Sequence, residues 1–145
     1  MNEHLEIIRK QFETDRYAGS LGIVLDELTE DAVRMHMQLR EDMLSFYNRP
    51  HGGVIYCLAD VAFSVLGNNK NNISVGLECS ITYHANPDPG TLLFVEGETL
   101  SMGRRTAAYL FKVYMQKKKG RTLIATMKSI SYRTGKPINP DIQAE

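Results

Sequence analysis

The chain has 145 residues, room for one domain and one core of ordinary size. Its 17 Lys and Arg balance its 17 Asp and Glu, so it carries neither the basic footprint of a nucleic-acid binder nor a polybasic membrane signal. The longest apolar run, residues 54–66, is too short to cross a bilayer, and the opening MNEHLEIIRK is charged and amphipathic rather than laid out as a signal peptide.

Residues 3–14 have the spacing of an amphipathic helix, with Leu5, Ile8 and Phe12 on one face, and Gly19 and Gly22 break it. Residues 22–28 form a predicted strand, with a turn at Thr29–Asp31. Val33, Met35, Met37 and Leu39 then alternate with Arg34, His36, Gln38 and Arg40, the period of a half-buried strand. Residues 41–50 read as an irregular connection. It leads into a helix over 54–66 that is apolar on nearly all sides and rich in small residues, the pattern of a helix wrapped by other structure.

After a polar turn at 68–72, Ile73, Val75, Leu77, Cys79, Ile81 and Tyr83 alternate so as to point one way. The prolines and glycine of 84–90 mark a loop. Strands follow at about 91–101, 105–117 and 121–133, joined by turns at 102–104 and 118–120. Lys117–Lys119 and Arg121 fall at the second turn and read as a solvated hairpin tip. The tail from Gly135 carries two prolines and is expected to run over the surface. Hairpin-linked strands make an antiparallel sheet, and only a helix can cover its apolar face. The expected class is therefore α+β: a single hotdog domain over 1–145, an antiparallel sheet around one long central helix, with an N-terminal helical segment at 1–16 and a tail at 135–145.

Cys57 and Cys79 form no CxxC pair and fall on faces expected to be buried. They read as core thiols and fit a reducing cytoplasm. The four histidines, His4, His36, His51 and His84, make no ligand pair, so no metal site is expected.

Chemistry concentrates in PHGGVIYCLADVAFSVLGN, residues 50–68. Asp60 is the only formal charge in the apolar run, and an ionised carboxylate there must be hydrogen-bonded, paired or used. Gly52 and Gly53 open the helix, where unpaired N–H groups and the positive dipole end favour an anion or a developing oxyanion. The plain alternatives stay open: glycines that only allow close packing, and a carboxylate that only caps a loop or pairs with an arginine. Asp60 follows Gly52 by eight residues, about 12 Å along a helix axis. One carbonyl cannot touch both. If the two act on one atom they belong to different chains, as in a two-fold dimer with antiparallel central helices. An aspartate beside a thioester either attacks the carbonyl or deprotonates water.

His51, Gly52, Gly53, Leu58, Asp60 and Asn68 together resemble the central-helix signature of hotdog-fold acyl-CoA thioesterases of the phenylacetate-degradation type. The resemblance extends through LGIVLDEL, ISVGLECSITYHANPDPGTLLFVEGE, GRRTAAYLFKVY and SYRTG, roughly residues 17–135. It implies hydrolysis of a coenzyme A thioester, with Asp60 as nucleophile or general base and the Gly52 amide polarising the carbonyl across a dimer interface. His51 and Gly53 would shape the site loop. It implies a homodimer or homotetramer, and no cofactor beyond the coenzyme A of the substrate.

Two loop positions depart from the family pattern. Ser45 stands where relatives have Asn, and Asn48 where many have Gly, although Asn tolerates the left-handed backbone. Gly76 occupies a neighbourhood where some relatives carry a polar residue. Arg104, Arg105 and Arg133 are candidates for the coenzyme A phosphates, against the plainer reading of turn and edge arginines. Tyr56, Phe63 and Tyr83 are candidates for an acyl pocket, against plain core. Glu78 falls on the polar face of its strand and could approach an interface. Competing readings are a hotdog hydratase or dehydratase using His51 and Asp60, and a non-catalytic acyl-CoA binding module.

Overall fold

The computed structural model describes residues 2–145; Met1, the first residue of the expected N-terminal segment, lies outside the described residues. Two short helices come first, α1 (Glu3–Phe12) and α2 (Arg16–Ser20). Strands β1 (Val24–Leu28) and β2 (Ala32–Gln38) follow, then the central helix α3 (Gly52–Leu66). Four strands complete the chain: β3 (Ser74–Tyr83), β4 (Leu92–Met102), β5 (Thr106–Lys117) and β6 (Gly120–Arg133). The strands form one six-stranded sheet in the order β1-β2-β4-β5-β6-β3, antiparallel throughout. This is the hotdog fold that the alternation and the single greasy helix predict.

The inward-facing residues of β2, β4, β5 and β6 pack on α3. Met35, Met37, Leu93, Val95, Tyr109, Phe111, Val113, Ile124 and Met127 are buried together with Ile55, Leu58, Ala59, Ala62 and Phe63 of the helix. Phe63, Tyr109 and Phe111 form an aromatic cluster with centroid separations of 5.5, 5.9 and 6.3 Å. Gly97 makes room for it. A Cβ there would stand 2.4 Å from the Phe111 ring and 3.0 Å from Val33.

Three sequence expectations are corrected. First, residues 16–20 form α2, where no element was expected. Asp15 caps it by accepting the Ala18 N–H at 3.0 Å, and Ala18 is buried. The strand predicted from residue 22 accordingly begins at Val24. Second, the alternation along β3 is broken. Gly76 pairs with Ser131 and Glu78 with Ile130, so Leu77 is an extra, bulged residue. Gly76 turns inward, where a Cβ would meet Phe63 at 3.2 Å. Ile73, Val75 and Leu77 are exposed while Cys79 and Ile81 pack against the core; Glu78 is exposed. Third, both cysteines are free thiols only half-buried: Cys79 packs against the edge of the core, whereas Cys57 does not belong to it.

The tail is tied down by the polar turn after α3. Buried Asn71 donates to Asn139 and Ile142 carbonyls at 3.1 and 2.8 Å. Asn72 accepts the Gly135 N–H at 3.0 Å. Lys118 and Lys119 form the tip of the β5–β6 hairpin, as expected.

The crowding at Gly97 yields a prediction. Gly97→Ala should destabilise the fold by about 1–3 kcal/mol, because the buried Phe111 ring and Val33 must shift to admit the methyl group. Urea unfolding followed by circular dichroism measures it; an unchanged midpoint would contradict the packing described.

Candidate active site

The loop into α3 is built to present the start of that helix. Leu44 and Pro50 form an isolated bridge. The Ser45 N–H donates to the Arg49 carbonyl at 2.7 Å, and the Asn48 N–H to the Ser45 carbonyl at 2.9 Å. Ser45 Oγ accepts the Tyr47 N–H at 3.2 Å. Asn48 takes φ 58°, the left-handed conformation that Asn tolerates. The His51 N–H donates to the Met43 carbonyl at 2.9 Å and closes the loop.

His51 is the N-cap of α3, with φ −67° and ψ 137°. Its Nδ1 accepts the Gly53 N–H at 3.1 Å, which puts the ring proton on Nε2. The Val54 and Ile55 N–H groups both return to the His51 carbonyl, at 3.0 and 3.4 Å. Among the described residues the Gly52 N–H has no acceptor. It is a bare donor at the positive end of a 15-residue helix. Tyr83 steadies this turn from β3, its hydroxyl donating to the Gly52 carbonyl at 3.0 Å.

Here the sequence reading of α3 is corrected. The helix is not wrapped on all sides: Gly53, Asp60 and Ser64 are exposed, with Cys57 half-buried between them. These residues recur at helical spacing and form one open seam beside β3. Asp60 stands in that seam, exposed to solvent on one side. Partial burial raises its pKa above the ordinary carboxylate value, with no neighbouring charge or donor to offset it. Asp60 has no ion pair among the described residues, so the capping and arginine-paired alternatives do not apply. It borders a hollow of about 190 Å³ with Phe63, Ser64, Asn68, Gly76 and Ser131. Asn68 joins the end of α3 to the start of β3: its Oδ1 accepts the Ser74 N–H, and its Nδ2 donates to the Ser64 carbonyl, both at 2.8 Å.

The candidate pocket aromatics divide. Phe63 is buried in the aromatic cluster and also walls the Asp60 hollow. Tyr83 is exposed beside Gly52. Tyr56 is half-buried; the adjacent Cys79 thiol, and then burial, push its phenol up to about 12. Sequence spacing missed Tyr17, whose hydroxyl lies 3.0 Å from Cys57 Sγ on the seam. The signal that could have found it was the Asp15 cap preceding it.

Arg104, Arg105 and Arg133 do come together, around a cleft of about 430 Å³ at the end of β6. Arg133 donates to the Gly103 carbonyl at 3.0 Å and to the main-chain oxygen of Glu145. Among the described residues none of the three pairs with a carboxylate side chain, whereas Arg9, Arg34, Arg40, Arg49 and Arg121 all do. Ser131 of the Asp60 hollow and Arg133 of this cleft are alternate residues of β6 and share its face, about 7 Å apart. The hollow and the cationic cleft are therefore neighbours.

Residues 47–121 match a family model described as the thioesterase superfamily. The chain is 30% identical over 129 residues to a putative esterase of Archaeoglobus fulgidus, covering 89% of this chain and 82% of that protein. It is 27% identical over 124 residues to the acyl-coenzyme A thioesterase PaaI of Escherichia coli, covering 86% of each. The solved structure of the Escherichia coli PaaI protein from the phenylacetic acid degradation operon superposes with a TM-score of 0.87 at 24% identity, over 94% of this chain and 96% of that one, and so shares its fold.

The raised Asp60 pKa has a stability consequence. A carboxyl whose pKa is higher folded than unfolded binds its proton more tightly in the native state. Stability therefore falls as pH rises from about 3.9 through the folded value, and the cost persists above it. Asp60→Asn should accordingly raise the melting temperature at pH 7, with the gain vanishing at low pH where both side chains are neutral. Thermal unfolding across pH checks this, and a gain independent of pH would contradict it.

Proposed function

This chain belongs to the thioesterase superfamily, and from that membership we propose that it hydrolyses coenzyme A thioesters to the free acid and coenzyme A, with Asp60 of one subunit working against the Gly52 amide of another. The observation that carries this reading is the pair of unpartnered groups on α3: the Gly52 N–H at its start and the Asp60 carboxylate on its open seam. A relative named as an acyl-coenzyme A thioesterase supports the substrate class.

Helix geometry supports a site shared between subunits. Gly52 and Asp60 lie on the same helix about 12 Å apart, so one carbonyl reaches both only if two chains contribute. The seam runs beside β3, which ends the sheet and has an unpaired edge. That edge strand is ten residues long and exposes Val75 and Leu77. A long apolar edge is the kind of surface that pairs with another chain. A second copy, placed by a two-fold axis, would cover the seam and bring each Asp60 toward the other chain's Gly52.

In such a site the thioester oxygen lies at the Gly52 N–H, where the helix dipole and the bare donor stabilise developing negative charge. Asp60 supplies the basic oxygen. It either draws a proton from a water that adds to the carbonyl carbon, or adds to that carbon itself to form an anhydride that water then opens. In both routes the C–S bond breaks and coenzyme A leaves as thiolate, to be protonated. Partial desolvation makes the carboxylate a stronger base than a free aspartate. The coenzyme A phosphates belong at Arg104, Arg105 and Arg133, which make no ion pair with a carboxylate side chain among the described residues and suit phosphate geometry. Two free thiols fit a reducing compartment. His51 has its Nδ1 engaged by Gly53, which favours hydrolysis over the proton shuttling a hydratase would require of it.

Asp60→Ala should lower acyl-CoA hydrolysis by about 10²–10⁴-fold, followed by free-thiol release, with circular dichroism and oligomeric state unchanged. Equal rates in mutant and parent would sink the reading. Gly52→Pro removes the donor cleanly: proline suits the first helical position, and the extended ψ of 137° at His51 is what a residue before proline needs. It should cost about 10²–10³-fold in kcat at a near-parental melting temperature.

A further inference from the structure

The seam around Asp60 has two unlike flanks. On one side Ser64, Asn68 and Ser131 lead toward the arginine cleft. On the other, one helical turn toward the start of α3, stands Cys57, its thiol against the Tyr17 hydroxyl. The first flank leads to three arginines that pair with no carboxylate side chain among the described residues, and it suits an anionic ligand end. The second presents a phenol and a thiol and suits an uncharged one. A coenzyme A thioester has those two ends, a polyphosphate and an acyl group, joined at the carbonyl that must sit by Asp60.

We propose that Tyr17 walls the acyl half of the site and sets how large an acyl group fits there. This rests on the acyl-CoA reading above and adds to it a specificity-determining residue from α2. The wall is held in place. Asp15 caps α2. Ala18, next to Tyr17, is 1% exposed, and its carbonyl accepts the Ile23 N–H at 3.1 Å. Arg40 Nη1 donates to the Ser20 carbonyl at 3.1 Å. Within that rigid turn the Tyr17 side chain projects from its anchored backbone to the seam. Its hydroxyl rests 3.0 Å from Cys57 Sγ, three residues before Asp60 on the same helical face. Tyr17 itself is 57% exposed, so it contributes bulk at the seam rather than to the core. Removing its ring opens space one turn from the reacting carboxylate and leaves the buried core as it is.

The test is a ladder of straight-chain acyl-coenzyme A thioesters from acetyl to dodecanoyl, assayed by thiol release with the parent, Tyr17→Ala and Tyr17→Phe. Tyr17→Ala should raise kcat/KM for the longer chains relative to acetyl by at least about tenfold, the scale on which a few methylenes are discriminated in an apolar pocket. Tyr17→Phe keeps the ring and should keep the parental profile. A Tyr17→Ala profile that superposes on the parent's overturns the role of Tyr17 and leaves the acyl-CoA reading standing. A folded parent that hydrolyses no member of the ladder overturns both.

Discussion

One curved sheet cannot cover a whole helix. The sheet encloses α3 on the side where Leu58, Ala59, Ala62 and Phe63 point, and the opposite stripe is left open. That shortfall is the constraint on which the site depends. It leaves Asp60 without a partner and the first turn of α3 within reach of a ligand. It also sets the seam beside the unpaired edge of β3, so a cover for one would engage the other. Other helix positions are apolar because the sheet touches them. Asp60 and Ser64 are polar because it does not.

The start of α3 shows how little separates a filled helix cap from a bare donor. Three N–H groups of the first turn need acceptors. The His51 ring serves Gly53 and the His51 carbonyl serves Val54. The Gly52 N–H is left over because the chain arrives from a tight loop in which Asn48 takes a left-handed conformation, so no backbone carbonyl falls behind it. In an ordinary surface helix water satisfies such a group. Here the bare donor opens the same helix that carries the unpaired Asp60 carboxylate, in a chain that belongs to the thioesterase superfamily.

Much of this was legible in the sequence. Val33, Met35 and Met37 announce β2 by alternation, and the turns at 102–104 and 118–120 announce the hairpins. The HGG triplet and the lone Asp60 mark the candidate site, and the structure leaves the Gly52 N–H and the Asp60 carboxylate of α3 without a partner among the described residues. What was not legible depends on a local shift or on distant partners. The bulge at Leu77 reverses the face of half a strand whose apolar alternation runs on undisturbed, because pattern records residue type and not register. The open stripe of α3 reads as apolar around Cys57 because a small thiol scores the same in a core and on a seam. Tyr17 belongs to a five-residue helix too short to show a period. The convergence of Arg104 and Arg105 with Arg133 needs the β5–β6 pairing, which spacing alone does not supply.

The bulge has one more consequence. A flat edge strand is indiscriminate: any extended peptide can lengthen the sheet, and slipping by two residues changes little. Here the edge is divided into two straight runs, Ser74–Gly76 and Glu78–Tyr83, offset by the extra Leu77. A newcomer without a matching irregularity can satisfy one run but not both. The kink thus acts as a key cut into the rim: an extended segment lacking the same offset cannot lengthen the sheet along the whole strand, which guards an exposed border against fibrous growth.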